Sequence, residues 1–372
     1  MYNPIEETIS VASVAGKHAG DVDSDARFPQ EAIDAARNTG LLGLVSAEEI
    51  GGHGRGIGES VAVVRTLAHE CSSTAMVVMM HYCGASVIER YGSEPFRRSI
   101  AAEGKLTTLA FSEAGSRSHF WVPVSTAETA GDGFKLNASK QLTTSAGKCD
   151  VYVWSSRPVS AEGLSTIWAV PADSKGLDIP KPFDGLGLRG NNSAPIVAKD
   201  LAVRPEDRLG EDGEGFDVMM GTVFPAFCLQ SCAVSVGMME GVFDRTIQHI
   251  TNATYAYDGS RICDLPQVRG HVAKMRVKTD MAIGFLHDAV DAVESGREDA
   301  MLRVLEAKVV GAETSLEVTD LAMRVCGGAA FRKDLGIERF FRDSRASSVM
   351  APVTDALYDF IGKAVCGMDL FS

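Results

Sequence analysis

The spacing of apolar positions changes twice along the chain. Up to residue 106 apolar side chains recur at helical intervals. Pro29-Gln30-Glu31-Ala32-Ile33-Asp34-Ala35-Ala36 reads as a helix start and Gly40 as its stop. Segments 59–67 and 73–91 then carry the 3.6-residue period of helices. Between 107 and 215 the period shortens. Short apolar runs at 107–112, 127–129, 134–138, 151–155, 166–171 and 194–203 are separated by turn signals such as Gly131-Asp132-Gly133. That pattern predicts a compact antiparallel β unit. Helical spacing returns at 227–253, 265–295 and 299–325, is broken by Gly327-Gly328, and resumes at 354–365. The chain is therefore expected to be α+β in three parts: helical over 1–106, β over 107–215 and helical over 216–372.

Composition narrows the function. The 372 residues carry a formal net charge of −13, which argues against nucleic acid as a partner, because phosphate backbones need a basic surface. An anionic cofactor stays possible, since backbone N–H groups and helix N-termini bind phosphate without net positive charge. The eight cysteines include no CxxC pair and mostly sit in apolar runs (Cys71, Cys83, Cys228, Cys232), so buried free thiols are expected. Cys228 and Cys232 share a helix face, but nothing supplies the further ligands a metal would need. The Gly-rich run from Gly51 to Gly58 lacks the spacing of a dinucleotide fingerprint and follows no strand, so it reads as a turn. No signal peptide is visible at the start. The apolar stretch 75–88, interrupted by His81 and Tyr82, is shorter than the roughly 18 residues of a membrane span. A cytoplasmic protein without membrane contact is the expectation.

Six short motifs, in order, give this layout a family likeness. They are Gly40-Leu41-Leu42-Gly43 with Glu48-Glu49-Ile50-Gly51-Gly52; Phe111-Ser112-Glu113-Ala114-Gly115-Ser116-Arg117-Ser118; Asn137 through Ser145; Leu186-Gly187-Leu188-Arg189; Gly213-Glu214-Gly215-Phe216; and Cys326-Gly327-Gly328 with Arg342-Asp343-Ser344-Arg345. Together they resemble the acyl-CoA dehydrogenase superfamily over nearly the whole chain. The resemblance implies an N-terminal helical domain, a central β-barrel and a C-terminal four-helix bundle, with FAD between barrel and bundle in a homodimer or homotetramer. It implies flavin contacts from Phe111, Ser112, Ser118, Leu142, Thr143, Thr144 and Thr354. Arg324, Gly327 and Gly328 would face the flavin of a neighbouring subunit. Leu142 replaces a frequent Trp and Arg324 a Gln. The arginine expected to cross the dimer is Ala256, with Arg261 nearby.

The departure that matters is the base. A dehydrogenase of this family removes a proton α to a thioester with a glutamate placed shortly after the Arg342-Asp343 motif. Counting from Arg342 puts Ala351 there, or Pro352 with a one-residue shift. The alternative family position falls on Phe227, and its companion arginine on Cys228. Neither Ala351 nor Pro352 can accept a proton, the second position also lacks a carboxylate, and loss of a general base costs about 10²–10⁴ in rate. Asp355 is the nearest carboxylate, either a minor candidate base or a first-turn helix residue. Arg117 and Trp121 would crowd a CoA chain, and Met79, Met80 and His81 suit a flat apolar ligand, although each also reads as ordinary core. These features resemble the flavin-dependent monooxygenase branch of the family, most closely its indole-oxygenating members. That likeness implies a two-component enzyme. An NAD(P)H-dependent flavin reductase would supply reduced FAD, O2 would be co-substrate, and a flavin C4a-hydroperoxide would hydroxylate a small aromatic substrate. Thr144, His81 and Asp355 are the catalytic candidates; Met79, Met80, His81, Arg117, Trp121 and Phe227 are the substrate-binding ones. A dehydrogenase with a non-standard base and a non-catalytic flavin-binding paralogue remain the alternatives.

Overall fold

The computed structural model describes residues 2–116 and 119–370. Five helices come first: α1 (Pro4–Ser24), α2 (Gln30–Asn38), α3 (Ile57–Glu70), α4 (Ser72–Tyr91) and α5 (Glu94–Ala101). The start of α1 is fixed locally. The Asn3 side chain accepts from the Ile5 N–H, a proline opens the first turn, and Glu6 and Glu7 face the positive end of the helix dipole. Helix α4 is buried on nearly every side, as expected of a helix that is apolar all round. It carries Met80 to the centre of the molecule.

Eight strands follow: β1 (Thr107–Ala110), β2 (Thr126–Ala130), β3 (Gly133–Thr143), β4 (Val151–Ser156), β5 (Thr166–Pro171), β6 (Leu177–Asp178), β7 (Ala194–Val203) and β8 (Arg208–Leu209). The expected barrel takes the form of two four-stranded sheets, ordered β1-β4-β5-β8 and β2-β3-β7-β6. The expectation of purely antiparallel pairing needs one correction, because β1 runs parallel to β4. The sheets pack on each other through Phe134 against Trp168, with ring centroids 5.2 Å apart. Strand β3 reaches its end through an irregularity between Lys140 and Thr143. There Leu142 adopts φ +53°, a left-handed conformation that branched and bulky residues resist.

The last part comprises α6 (Gly215–Val218), α7 (Phe224–Asn252), α8 (Pro266–Glu294), α9 (Ala300–Cys326), α10 (Ile337–Val349) and α11 (Thr354–Val365). Helix α7 is the axis, touching α3, α4, α8, α9 and α10. The run from Gly215 to Asn252 is long and apolar enough to cross a membrane by composition, yet 78% of its most apolar window is buried inside the fold. That is the signature of a core helix. All eight cysteines are free, and six of them are buried.

Two of the sequence motifs prove to be one joint. Asp343 on α10 accepts from the Leu188 N–H at 2.6 Å, and Arg342 donates to the Leu186 carbonyl at 3.1 Å. Arg342 also holds Asp23 of α1 through both nitrogens. A Cβ on Gly187 would lie 2.6 Å from the Arg342 carbonyl carbon and oxygen. Only glycine permits that approach. These motifs tie the three parts of the chain together.

Candidate active site

A cavity of about 380 Å³ lies where the two sheets meet α4, α7 and the end of α10. Its β wall is Leu109, Phe111, Ser112, Leu142 and Thr144. Its helical wall is Met80, Val223, Phe224 and Phe227. The segment after α10 closes it with Val349, Met350 and Ala351. Four distant stretches of chain thus converge on one apolar space with few polar groups, the usual character of a small-molecule site. A larger groove of about 900 Å³ runs between α1, α3, α7 and α8. Several of its charges pair with each other, Arg65 with Glu240 and His69 with Asp244, and it contains none of the expected site residues.

The loop that begins at Phe111 is held from behind by a buried ion pair. Lys140 Nζ donates to Glu113 Oε1 at 2.5 Å and to the Ser155 carbonyl at 2.7 Å. The Glu113 carboxylate also accepts from the Val124 and Ser125 N–H groups and from the Ser125 hydroxyl. Burial pushes the Glu113 carboxyl up, but the Lys140 ammonium and these donors outweigh it and hold it below the usual carboxylate range. Burial lowers Lys140 to about 8 against the pull of Glu113. The Gln141 N–H donates to the Ser112 carbonyl, so the pair fixes Ser112 relative to the end of β3.

The closing segment has its own clamp, which sequence reasoning missed. Lys308 on α9 is buried and donates to the carbonyls of Ser347 (3.2 Å), Met350 (3.1 Å) and Pro352 (2.8 Å). Desolvation lowers its pKa to about 8, with partial opposition from Cys228. Among the described residues no carboxylate pairs with it, and the ammonium gathers backbone oxygens.

The entry to α7 is irregular. Met219–Val223 forms one π turn, in which the Phe224 N–H donates to the Met219 carbonyl. π turns arise from one extra residue in a helix and cluster at functional sites. This one turns Val223 and Phe224 toward the cavity.

Of the residues singled out from sequence, Met80, Phe111, Ser112, Leu142, Thr144 and Phe227 all line this cavity. Ala351 and Phe227, two of the positions counted for a base, both line the cavity. Thr143 is buried behind the wall, its hydroxyl without a partner. His81 requires correction. It is fully buried away from the cavity, with Nδ1 accepting from the Thr107 N–H (3.1 Å) and Nε2 donating to the Leu42 carbonyl (2.7 Å). Burial lowers its pKa to about 4 despite the Leu42 bond. It is a structural histidine bridging α4, β1 and the chain after α2. Met79 is likewise core. Trp121 does not line the cavity either; it stands edge-on to Phe120 and faces Phe360 of α11. Asp355 is exposed in the first turn of α11, outside the cavity, while Thr354 beside it is buried. Arg324, Gly327 and Gly328 are exposed, and a Cβ on either glycine would meet nothing within 4 Å. Arg117 and Ser118 lie outside the described residues.

The residues present suit a flavin. Ser112 and Thr144 line the cavity, and among the described residues neither hydroxyl has a hydrogen-bond partner. Apolar surface surrounds them. Among the described residues, no three or more His, Cys, Asp or Glu side chains gather to hold a metal.

Three profile matches cover most of the chain: acyl-CoA dehydrogenase N-terminal domain over 10–102, middle domain over 108–201 and C-terminal domain over 213–366. Cyclohex-1-ene-1-carbonyl-CoA dehydrogenase of Geobacter metallireducens is 26% identical over 355 residues, spanning 93% of this chain and 92% of that protein. The glutaryl-coenzyme A dehydrogenase structure with glutaryl-CoA superposes with a TM-score of 0.90 at 22% identity, over 100% of this chain and 96% of that one. PigA with FAD and proline does so at 0.85 and 19%, over 96% and 97%.

Proposed function

The chain belongs to the acyl-CoA dehydrogenase family, and from that premise we propose that it is a flavin-dependent monooxygenase of small aromatic substrates, indoles foremost. FAD binding is expected of the family. A single observation carries the finer reading. The cavity wall holds one carboxylate, Glu113, and that carboxylate is fully engaged by Lys140, Ser125 and Val124. Ala351 and Phe227 occupy the base positions, and Asp355 stands outside. Removal of a proton from a weak carbon acid has no acceptor here. Chemistry without that step is favoured.

Reduced FAD with O2 supplies an electrophilic oxygen equivalent to an electron-rich ring carbon. The protein's share is binding, orientation and exclusion of water. Ser112 and Thr144 offer hydroxyls to the flavin's polar edge. Phe111, Leu142 and Met80 provide apolar surface. Val223, Phe224 and Phe227 keep the space dry, which strengthens every polar contact within it. A separate NAD(P)H-dependent reductase would deliver the reduced flavin. A second copy of the chain would complete the flavin site through the exposed Arg324, Gly327 and Gly328.

The test combines the protein with a flavin reductase, NADH, FAD, O2 and indole. Oxygenated indole, visible as blue indigo, is the expected product. Silence across indole and a panel of phenols and anilines would overturn the reading. Anaerobic bleaching of bound FAD by an acyl-CoA would replace it with a dehydrogenase using another base.

A further inference from the structure

A second, smaller chamber of about 70 Å³ adjoins the cavity, and Phe224 is a wall of both. The rest of the chamber is apolar: Trp121, Met220, Met301, Leu305, Phe360 and Leu370. An apolar void of this kind stays dry and accepts apolar ligands, because water would find no polar partner in it. It also weakens the fold while empty.

The π turn explains the arrangement. Met220 and Val223 belong to that one turn, yet Met220 faces the chamber and Val223 faces the cavity. Phe224, the next residue, stands between them with its side chain shared. Trp121 and Phe360 roof the chamber from the β part and from α11.

We propose that Phe224 is the specificity-determining partition of this enzyme, and that the preferred substrate is an aromatic ring bearing an unbranched apolar substituent. The ring occupies the cavity and the substituent enters the chamber past Phe224. The substrate class deepens the monooxygenase reading and rests on it, whereas the partition itself is a property of binding. Polar or charged substituents are excluded, since the chamber offers them no partner.

The test is calorimetric titration of the FAD-loaded protein with indole, 3-propylindole and 3-hexylindole, without reductant or turnover. The chamber predicts that 3-propylindole binds more tightly than indole, by about fourfold for each methylene taken up. Met301→Trp, which fills the chamber from its open side, should remove that gain and leave indole affinity unchanged. Phe224→Ala should extend the gain to 3-hexylindole. Thermal unfolding confirms that each variant folds, and either variant alone decides. A propyl-to-indole ratio that is the same in wild type and Met301→Trp, or a hexyl-to-indole ratio that is the same in wild type and Phe224→Ala, overturns the partition. Length-dependent binding without any oxygenated product would leave the partition standing and remove the monooxygenase reading. Oxygenation with length-independent binding would do the reverse.

Discussion

Replacing Lys308 with methionine keeps the length of the side chain and removes the ammonium that gathers three carbonyls behind the cavity. Hydrogen bonds to a charged donor are worth about 1.5–3 kcal/mol each when one partner is deleted, and three on one atom are not additive. Against this stands the cost of burying the charge. Lys308 titrates near 8 instead of 10.5, a penalty of about 3 kcal/mol on the ammonium. The net loss at pH 7 should be about 2–4 kcal/mol. The pH dependence is more specific. Between pH 8 and 10.5 the unfolded chain keeps this proton and the folded protein has released it. The unfolded state therefore binds more protons, and wild-type stability gains up to about 3 kcal/mol through this group as pH rises. Lys308→Met lacks that gain. Lys140 shifts in the same direction in both proteins and cancels in the difference. Urea unfolding of both proteins, followed by tryptophan fluorescence at pH 7 and pH 10, should show the gap between them widening at the higher pH. A gap that stays constant or narrows would refute the assignment of a charged, carbonyl-bound Lys308.

Four further outcomes follow from particular contacts. Thr144→Ala should shift NADH-driven O2 consumption from product toward free hydrogen peroxide, by about tenfold at the upper end of one hydrogen bond's worth; an unchanged product yield per NADH removes Thr144 from the mechanism. His81→Phe should cost about 2–6 kcal/mol, since it orphans the Leu42 carbonyl and the Thr107 N–H. In wild type this buried neutral imidazole contributes stability above pH 6.5 that is lost as pH falls toward 4, and acid titration of the variant should lack that component. Gly187→Ala, forced against the Arg342 carbonyl, should destabilise by roughly 1–3 kcal/mol in thermal unfolding. Asp355→Asn should leave product formation unchanged, whereas its abolition would restore Asp355 as a base.

The order of helical, β and helical segments was legible because period alone separates them. Helix α11 begins at Thr354 as read, and α7 begins three residues earlier than expected. Helix α10 was not anticipated. It buries Arg339 and Asp343 to reach Glu70 and Leu188, and buried charges hide an apolar stripe. Parallel pairing of β1 with β4 depends on the path of the chain between them, which no local pattern records. In the site, Ser112, Thr144, Phe227 and Ala351 were located through motifs and counting. Val223, Phe224 and Met350 were not, because an apolar residue in an apolar run bears no chemical mark. His81 was misjudged for the complementary reason: its partners are backbone groups 39 and 26 residues away.

The π turn at Met219–Val223 spends five residues where a regular helical turn uses about 3.6. The surplus residue is absorbed within that turn, so the helical chain before it and α7 after it stay in line. Helix α7 is clamped between α3 and α9. Deleting one residue within 219–223 would return a regular α-helix and change which side chains this turn presents, while the flanking helices kept their register. A single-codon change at this turn is thus a discrete step by which the same scaffold acquires a different pocket floor. Point substitutions in the regular part of α7 would have to disturb packing to achieve as much.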